Sequence, residues 1–231
     1  MTSTTMTPRQ LWTARSHDAA RSPRHVLVAG VAAVPVFLTV ALVQAFTREG
    51  FDLQRHALGQ LALGPGGFVQ VANFLLTGAL LVFASLGVRS ALGPGLGAVW
   101  APRLVAGFGV GMLLAGVFVA DPAYGFPVGT PDGPGQVSWH GALHGLGFAV
   151  AMLSWVSACV VLARALVARS DRRAAAACAA ALVAAVAVGA SPAAGAFGVR
   201  LVLVSVVQFC LVGGVCARLA RSTTHPVPQA A

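Results

Sequence analysis

Two histidines four residues apart, His140 and His144, are the residues best spaced in this sequence to do chemistry together. If the segment is helical, this spacing places both imidazoles on one face, and such a pair can offer two nitrogen ligands to one metal ion. Ser138 is a suitable N-cap for that helix, and Trp139 suits a membrane interface. The WHGALHG segment is therefore a candidate half of a metal site, for which zinc is the expected metal.

Asp121 and His56 are the further candidates for the same site. Asp121 lies before Pro122 at the predicted end of an apolar segment, where the negative end of a helix dipole disfavours a carboxylate, so we expect a compensating partner. His140 or a bound cation would supply it. His56 would complete a metal-ligand set with His140 and His144, and Asp121 would be a ligand or the catalytic base. Two alternatives are hydrogen bonding that only clamps the loops and a gate for a ligand.

The composition indicates that membrane-spanning helices position these residues. Of the 231 residues, 57% are hydrophobic and only 9% are charged, whereas a soluble domain has about 25% charged residues. Six apolar windows are long enough to cross a bilayer as helices. We predict an all-α integral membrane protein, a six-helix transmembrane bundle over residues 26–219, with a disordered tail at 1–25 and a second tail at 220–231. The six windows are 26–46, 67–88, 101–120, 139–163, 174–190 and 198–219.

The arginines predict the orientation of the helices. All fifteen basic residues are arginines, and twelve of them lie on one predicted side, whereas Arg48, Arg55 and Arg200 lie on the other. The positive-inside rule therefore predicts that both termini are cytoplasmic in a multi-pass protein of the cell membrane. The net charge of +9 raises the question of nucleic acid, but single arginines between apolar windows form no basic stripe. We expect the lipid bilayer, and no nucleic acid, as the partner.

Residues 122–138 form a long loop rich in proline and glycine on the predicted outer side. Such a segment is typical of turns, and we expect it to cover the helix ends as a lid, with Tyr124 and Phe126 at the headgroup level. Outside the two tails, nearly all ionisable groups other than arginine lie on the same side, with Asp171 as the exception. This one-sided distribution predicts a polar pocket on the outer face.

Other patterns within the windows point to helix packing. Gln70, Asn73 and Thr77 recur at helical spacing, so they either form hydrogen bonds between helices or line an outward-opening cavity. Small residues at four-residue spacing predict close helix contacts in the third and fourth windows. These residues are Gly107, Gly111 and Ala115 in the third window and Gly141 and Gly145 in the fourth. The four cysteines lie in apolar windows without metal-ligand spacing, so we expect buried thiols.

Three segments resemble a known family. HALGQLALGPGGFVQVANFLLTG, GVFVADPAYGFPVGTP and WHGALHGLGF are similar to the prokaryotic membrane proteins grouped as domain of unknown function 998. The resemblance covers roughly residues 26–219 and implies a multi-helix integral membrane protein without supplying an activity. Members of that family often have serine where this chain has Gly59.

Three functions stay open on the sequence. The first is a metal-assisted hydrolase of a lipid or amphiphile, and the second is a transporter or ligand-binding membrane protein in which His144 acts as a gate. The third is a structural membrane protein without catalytic activity. Convergence of His56, Asp121, His140 and His144 on one point would favour the hydrolase, and dispersal would favour a scaffold.

Overall fold

The computed structural model describes residues 23–191 and 197–222. Within these ranges six helices are long and apolar enough to cross a membrane, which confirms the predicted six-helix transmembrane bundle. Most of the predicted tail at 1–25 and of that at 220–231 lies outside the described residues. The helices are α1 (Pro23–Thr47), α2 (Gly67–Leu92), α3 (Trp100–Val117), α4 (Trp139–Ala168), α5 (Arg172–Gly189) and α6 (Phe197–Ser222).

The helices form an antiparallel ring in chain order. Each helix packs against the next, and α6 closes the ring by packing against α1. At one end of the α1–α6 interface Gly30 lies beside Cys216. Farther along, Phe37 stacks on Phe209 with ring centroids 4.5 Å apart. The start of α1 and the end of α6 therefore lie at the same end of the bundle.

The two ends of the bundle differ in composition. We call the end with residues 93–99 and 169–171 the arginine end, because nine of the arginines at the described positions lie there. The opposite end contains residues 48–66 and 118–138, and we call it the loop end. The predicted site residues all belong to the loop end.

Close contact between α3 and α4 depends on glycine. A side-chain carbon added at Gly111 would lie 2.5 Å from the carbonyl oxygen of Gly147 and from the amide nitrogen of Ala151. The third-window stripe is thus a helix contact, as predicted. In α4, however, the packing residues are Gly147 and Ala151, because Gly145 has open space beside it and Gly141 adjoins Asp121.

A polar cluster joins α1 to α2 inside the bundle. Gln44 Nε2 donates to Gln70 Oε1 over 2.8 Å, and Asn73 Nδ2 donates to the carbonyl of Phe37 over 3.1 Å. Thr77 follows Asn73 at one helical turn and is fully buried. Hydrogen bonding between helices, one of the two predicted roles, is therefore what Gln70 and Asn73 do, whereas Thr77 donates to Asn73 within α2.

Residues 48–66 fold tightly at the loop end. They contain a short 3₁₀ helix, Leu58–Ala62, which the sequence did not predict and whose residues are all buried. Arg48 at the end of α1 donates to the carbonyls of Leu61 and Leu63 over 3.1 and 2.5 Å. This guanidinium satisfies backbone groups that would otherwise face apolar surroundings unpaired.

Candidate functional site

Asp121 interacts with the start of α4 and not with the end of α3. Helix α3 ends at Val117, three residues before its predicted end, so Asp121 follows the helix by four residues. Its carboxylate accepts hydrogen bonds from the amide (2.8 Å) and the hydroxyl (2.5 Å) of Ser138. The Ser138 hydroxyl in turn accepts from the amide of Gly141, so Ser138 is the predicted N-cap. The positive end of the α4 dipole is therefore the compensating partner.

The pKa of Asp121 is lowered by this arrangement. Burial by itself would raise the pKa, but the two hydrogen bonds from Ser138 and the nearby His140 and His144 outweigh it. Glycine is required at position 141, because a side chain there would collide with the carboxylate. Asp121 is thus held as a carboxylate against the helix.

His140 lies beside Asp121 but does not hydrogen-bond to it. His140 Nδ1 is 3.7 Å from Asp121 Oδ1 and 3.2 Å from the carbonyl oxygen of Val119, to which it donates. Its side chain is 42% exposed. His140 therefore interacts with Asp121 through charge and not through a hydrogen bond.

His56 is buried and clamps the two loops together. Its Nδ1 accepts from the amide of Asp52 over 2.8 Å, so the proton lies on Nε2, which donates to the carbonyl of Tyr124 over 2.9 Å. Its ring also packs against Phe51 and Phe126. Nδ1 therefore fixes the ring within residues 51–57, and Nε2 holds the lid to them.

The lid, residues 122–138, is attached by further contacts that the sequence did not reveal. Tyr124 and Gly125 both have positive φ angles, 54° and 86°, which makes a tight turn that places Phe126 inward. Phe126 is 1% exposed, so it packs inside the protein and does not reach the headgroups as an anchor. Buried Gln60 accepts from the amide of Ala57 and donates to the carbonyl of Ala123. Gln60, a polar residue four positions after His56, was the sequence feature from which this contact could have been predicted.

His144 caps the end of α3 through one nitrogen. Its Nδ1 lies 3.0 Å from the carbonyl oxygen of Ala115 and 2.9 Å from that of Phe118. A carbonyl only accepts, so Nδ1 carries the proton, and these contacts satisfy carbonyls left unpaired at the helix end. In the neutral ring Nε2 is then an acceptor. It faces Gly59, since a side-chain carbon at that position would lie 2.5 Å from it.

The four predicted residues do not converge on one metal ion. Among the residues that the structure describes, no three His, Cys, Asp or Glu side chains are grouped so that they could hold a metal. His56 has no free nitrogen, because its Nδ1 accepts from Asp52 and its Nε2 donates to Tyr124, so at most the Nε2 atoms of His140 and His144 are left for a metal. The residues present therefore do not fit a zinc centre of His56, His140 and His144, and no metal-dependent step follows from their arrangement.

His144 and Gly59 instead line a cavity of about 340 Å³ inside the loop-end half of the bundle. Its lining is mostly apolar and comes from α1, the 3₁₀ helix, α2, α3, α4 and α6, whereas none of the described lining residues belongs to α5. Along α6 it extends from Phe197 to Phe209, about 18 Å at 1.5 Å per residue. The polar side chains in it are His144, Ser205 and Gln208.

The sequence did not reveal this cavity. The aromatic residues that line it recur among many apolar residues, and nothing in their spacing distinguishes them from core. Gly59 was singled out only by the family resemblance, and the close approach of His144 gives that glycine a physical reason. The aromatic lining residues are Phe37, Phe74, Phe108, Phe148, Phe197 and Phe209.

Comparison with known proteins assigns the chain to a family. Neither the curated proteins nor the solved structures contain a match to it. The family model described as "Protein of unknown function (DUF998)" matches residues 31–225, which is most of the chain. The match agrees with the resemblance of the three segments and covers most of α1 and all of the other five helices. The chain belongs to the DUF998 family of proteins of unknown function.

Proposed function

We propose that this protein binds a single-chain lipid that ends in a hydroxyl group, with the chain in the loop-end cavity and the hydroxyl donating to His144 Nε2. The observation that carries the proposal is the fixed orientation of this imidazole. Two carbonyls hold the proton on Nδ1, and the acceptor nitrogen is directed toward Gly59 at the cavity wall. An acceptor in apolar surroundings favours a ligand that brings a donor.

The dimensions of the cavity support a lipid chain. Its 340 Å³ lies within the range of small-molecule sites, about 300–1,000 Å³. Its length of about 18 Å along α6 is close to half the thickness of the hydrocarbon core, about 15 Å. An extended chain with its head at His144 would therefore reach roughly the bilayer midplane.

The exposed residues of the lining support entry from the bilayer. Phe148 and Phe197 line the cavity and are 48% and 47% exposed, and Gly145 beside them is also exposed. These residues belong to α4 and α6, whereas α5 contributes no described residue to the lining. The loop-end parts of α4 and α6 around Gly145, Phe148 and Phe197 are therefore the place at which a lipid would enter.

Binding is a better account of the site than hydrolysis. Among the described residues, no hydroxyl, thiol or carboxylate hydrogen-bonds His144 Nε2, so no side chain is placed beside this imidazole as a nucleophile. No group of three potential metal ligands is found there either. The ligand-binding hypothesis from the sequence is therefore preferred to the metal-assisted hydrolase, and a purely structural role is the outcome if no ligand binds.

Photolabelling of the purified full chain tests the proposal. The probes are a long-chain alcohol bearing a diazirine and its methyl ether, which has the same chain but no hydrogen to donate. We expect the alcohol to label α4 or α6 at the cavity, and the ether to bind about threefold to tenfold more weakly, the worth of one hydrogen bond. Equal labelling by both probes would remove His144 as the recognition group.

A glycine pair gives a matched control for this experiment. Gly145 and Gly189 both have open space where a side chain would begin, but only Gly145 lines the cavity. Gly145→Phe should abolish labelling by filling the mouth, and Gly189→Phe should leave it unchanged. Retained labelling in Gly145→Phe would show that the lipid binds elsewhere.

A further inference from the structure

A second cavity lies at the arginine end, on the opposite side of the bundle from the proposed lipid site. It has a volume of about 1,010 Å³ and lies between the α4–α5 turn and the last two turns of α6. Five arginines and one aspartate belong to its lining, so the formal charge of the lining is +4. The arginines are Arg169, Arg172, Arg173, Arg218 and Arg221.

The contacts of Arg218 and Arg169 offset one positive charge between them. Arg218 forms an ion pair with Asp171, the single acidic residue of the lining. Arg169 donates to the carbonyls of Leu92, Leu96 and Ala165, which satisfies its hydrogens without neutralising its charge. All five arginines are exposed at the mouth of the cavity, where guanidinium groups favour an anion with oxygen acceptors.

Arg172 and Arg173 lie where two cations are disfavoured. They occupy the first turn of α5 and are exposed at the positive end of the helix dipole. The N-cap Asp171 is the one carboxylate at this helix start, and it already forms an ion pair with Arg218. An anion in the adjoining cavity would offset both charges. The cavity, its arginines and this local conflict thus point to the same kind of ligand.

The floor of the cavity distinguishes a lipid from a soluble anion. Leu166, Val215 and Leu219 line it below the arginines, and Gly214 exposes bare helix backbone with no atom near its missing side chain. Basic pockets between transmembrane helices suit anionic headgroups whose chains continue along the helix surface. We infer that this cavity binds the phosphate headgroup of an anionic phospholipid, with one acyl chain along α6 beside Gly214.

Native mass spectrometry of the full chain in detergent tests this inference. The probes are dioleoyl phosphatidylglycerol, dioleoyl phosphatidylcholine and inorganic phosphate. We expect one phosphatidylglycerol to be retained in preference to phosphatidylcholine and inorganic phosphate not to displace it. Displacement by inorganic phosphate at millimolar concentration would overturn the lipid assignment in favour of a soluble anion.

Two arginine variants separate a specific site from general charge. Arg172→Gln with Arg173→Gln should weaken phosphatidylglycerol binding by about 25-fold, since each arginine near an anionic lipid is worth about fivefold. Arg89→Gln with Arg164→Gln removes two exposed arginines of the same end that do not line the cavity, and should change binding by less than about twofold. Equal losses in both variants would overturn the inference.

A third variant keeps every charge and tests where the acyl chain of the lipid binds. Gly214→Phe has room for its side chain and fills the apolar floor. It should lose the preference for phosphatidylglycerol while unfolding at the same temperature as the wild type in lipid-free detergent. Retained preference would contradict the placement of the acyl chain beside Gly214.

Discussion

Two buried or half-buried imidazoles in this bundle have opposite tautomers, and the difference separates their roles. His56 has its proton on Nε2 and uses both nitrogens between two loops. His144 has its proton on Nδ1, and its other nitrogen faces Gly59 and the cavity. Residue type alone predicted a common ligand set for these two histidines. The tautomer depends on which backbone atom each nitrogen meets, and that follows from the path of the loops.

Asp121 gives a prediction at the residue scale. Its lowered pKa means that the folded state is stabilised above the unfolded carboxyl pKa, about 3.9, and that this contribution is lost as the pH falls through the folded value. Asp121→Asn removes an acceptor from the Ser138 pair and should cost about 1–2 kcal/mol at neutral pH.

Thermal unfolding of wild type and Asp121→Asn in detergent between neutral and strongly acidic pH measures this effect. The gap in unfolding temperature should be constant at neutral pH and close as the pH falls below about 4. A gap that widens on acidification would show that the carboxylate is not stabilised by the start of α4.

At the scale of elements, the α3–α4 pair determines where the site residues lie. Gly111 and Gly147 let the two helices approach closely, and the early end of α3 at Val117 exposes carbonyls to His144. The sequence predicted the six helices because apolar length is a local property. It missed the end of α3, since residues 118–120 are as apolar as those before them and only the fold of the lid ends the helix.

Gly111→Val tests the helix contact. The new side chain would meet the backbone of α4, which cannot move aside as a side chain can, so we expect a loss of about 1–3 kcal/mol in the free energy of unfolding. Gly145→Val is the control, because open space beside Gly145 should keep its effect within about 0.5 kcal/mol. Reversible unfolding of both variants in the same detergent supplies the comparison, and equal effects would mean that α3 and α4 are not in close contact at Gly111.

At the scale of the whole molecule, the two ends of the bundle are specialised differently. The loop end has the interlocked loops and the neutral cavity, and the arginine end has the basic cavity. The sequence predicted this asymmetry through its arginines and its one-sided polar residues. It could not predict either cavity. Each cavity is a gap between helices that are distant in the chain, and such a gap produces no periodic pattern in the sequence.

The orientation of the bundle is a further prediction at this scale. The arginine bias places the loop end outside, so Val128→Cys, an exposed position in the lid, should react with an impermeant maleimide in intact cells. Leu96→Cys, exposed in the 93–99 turn, should react only after permeabilisation. Labelling of Leu96→Cys alone in intact cells would reverse the orientation and place the lipid-chain cavity in the cytoplasmic leaflet.

The nitrogen chemical shifts of the histidines test the central claim most directly. The ¹⁵N-histidine spectrum of the full chain in nanodiscs, recorded at alkaline pH and assigned with His144→Gln, distinguishes protonated from unprotonated ring nitrogens. We predict an unprotonated Nε2 at His144 whose resonance moves when the long-chain alcohol is added and stays in place with its methyl ether. A protonated Nε2 in the neutral ring, or equal movement with both compounds, would contradict the proposed recognition of a hydroxyl-bearing lipid.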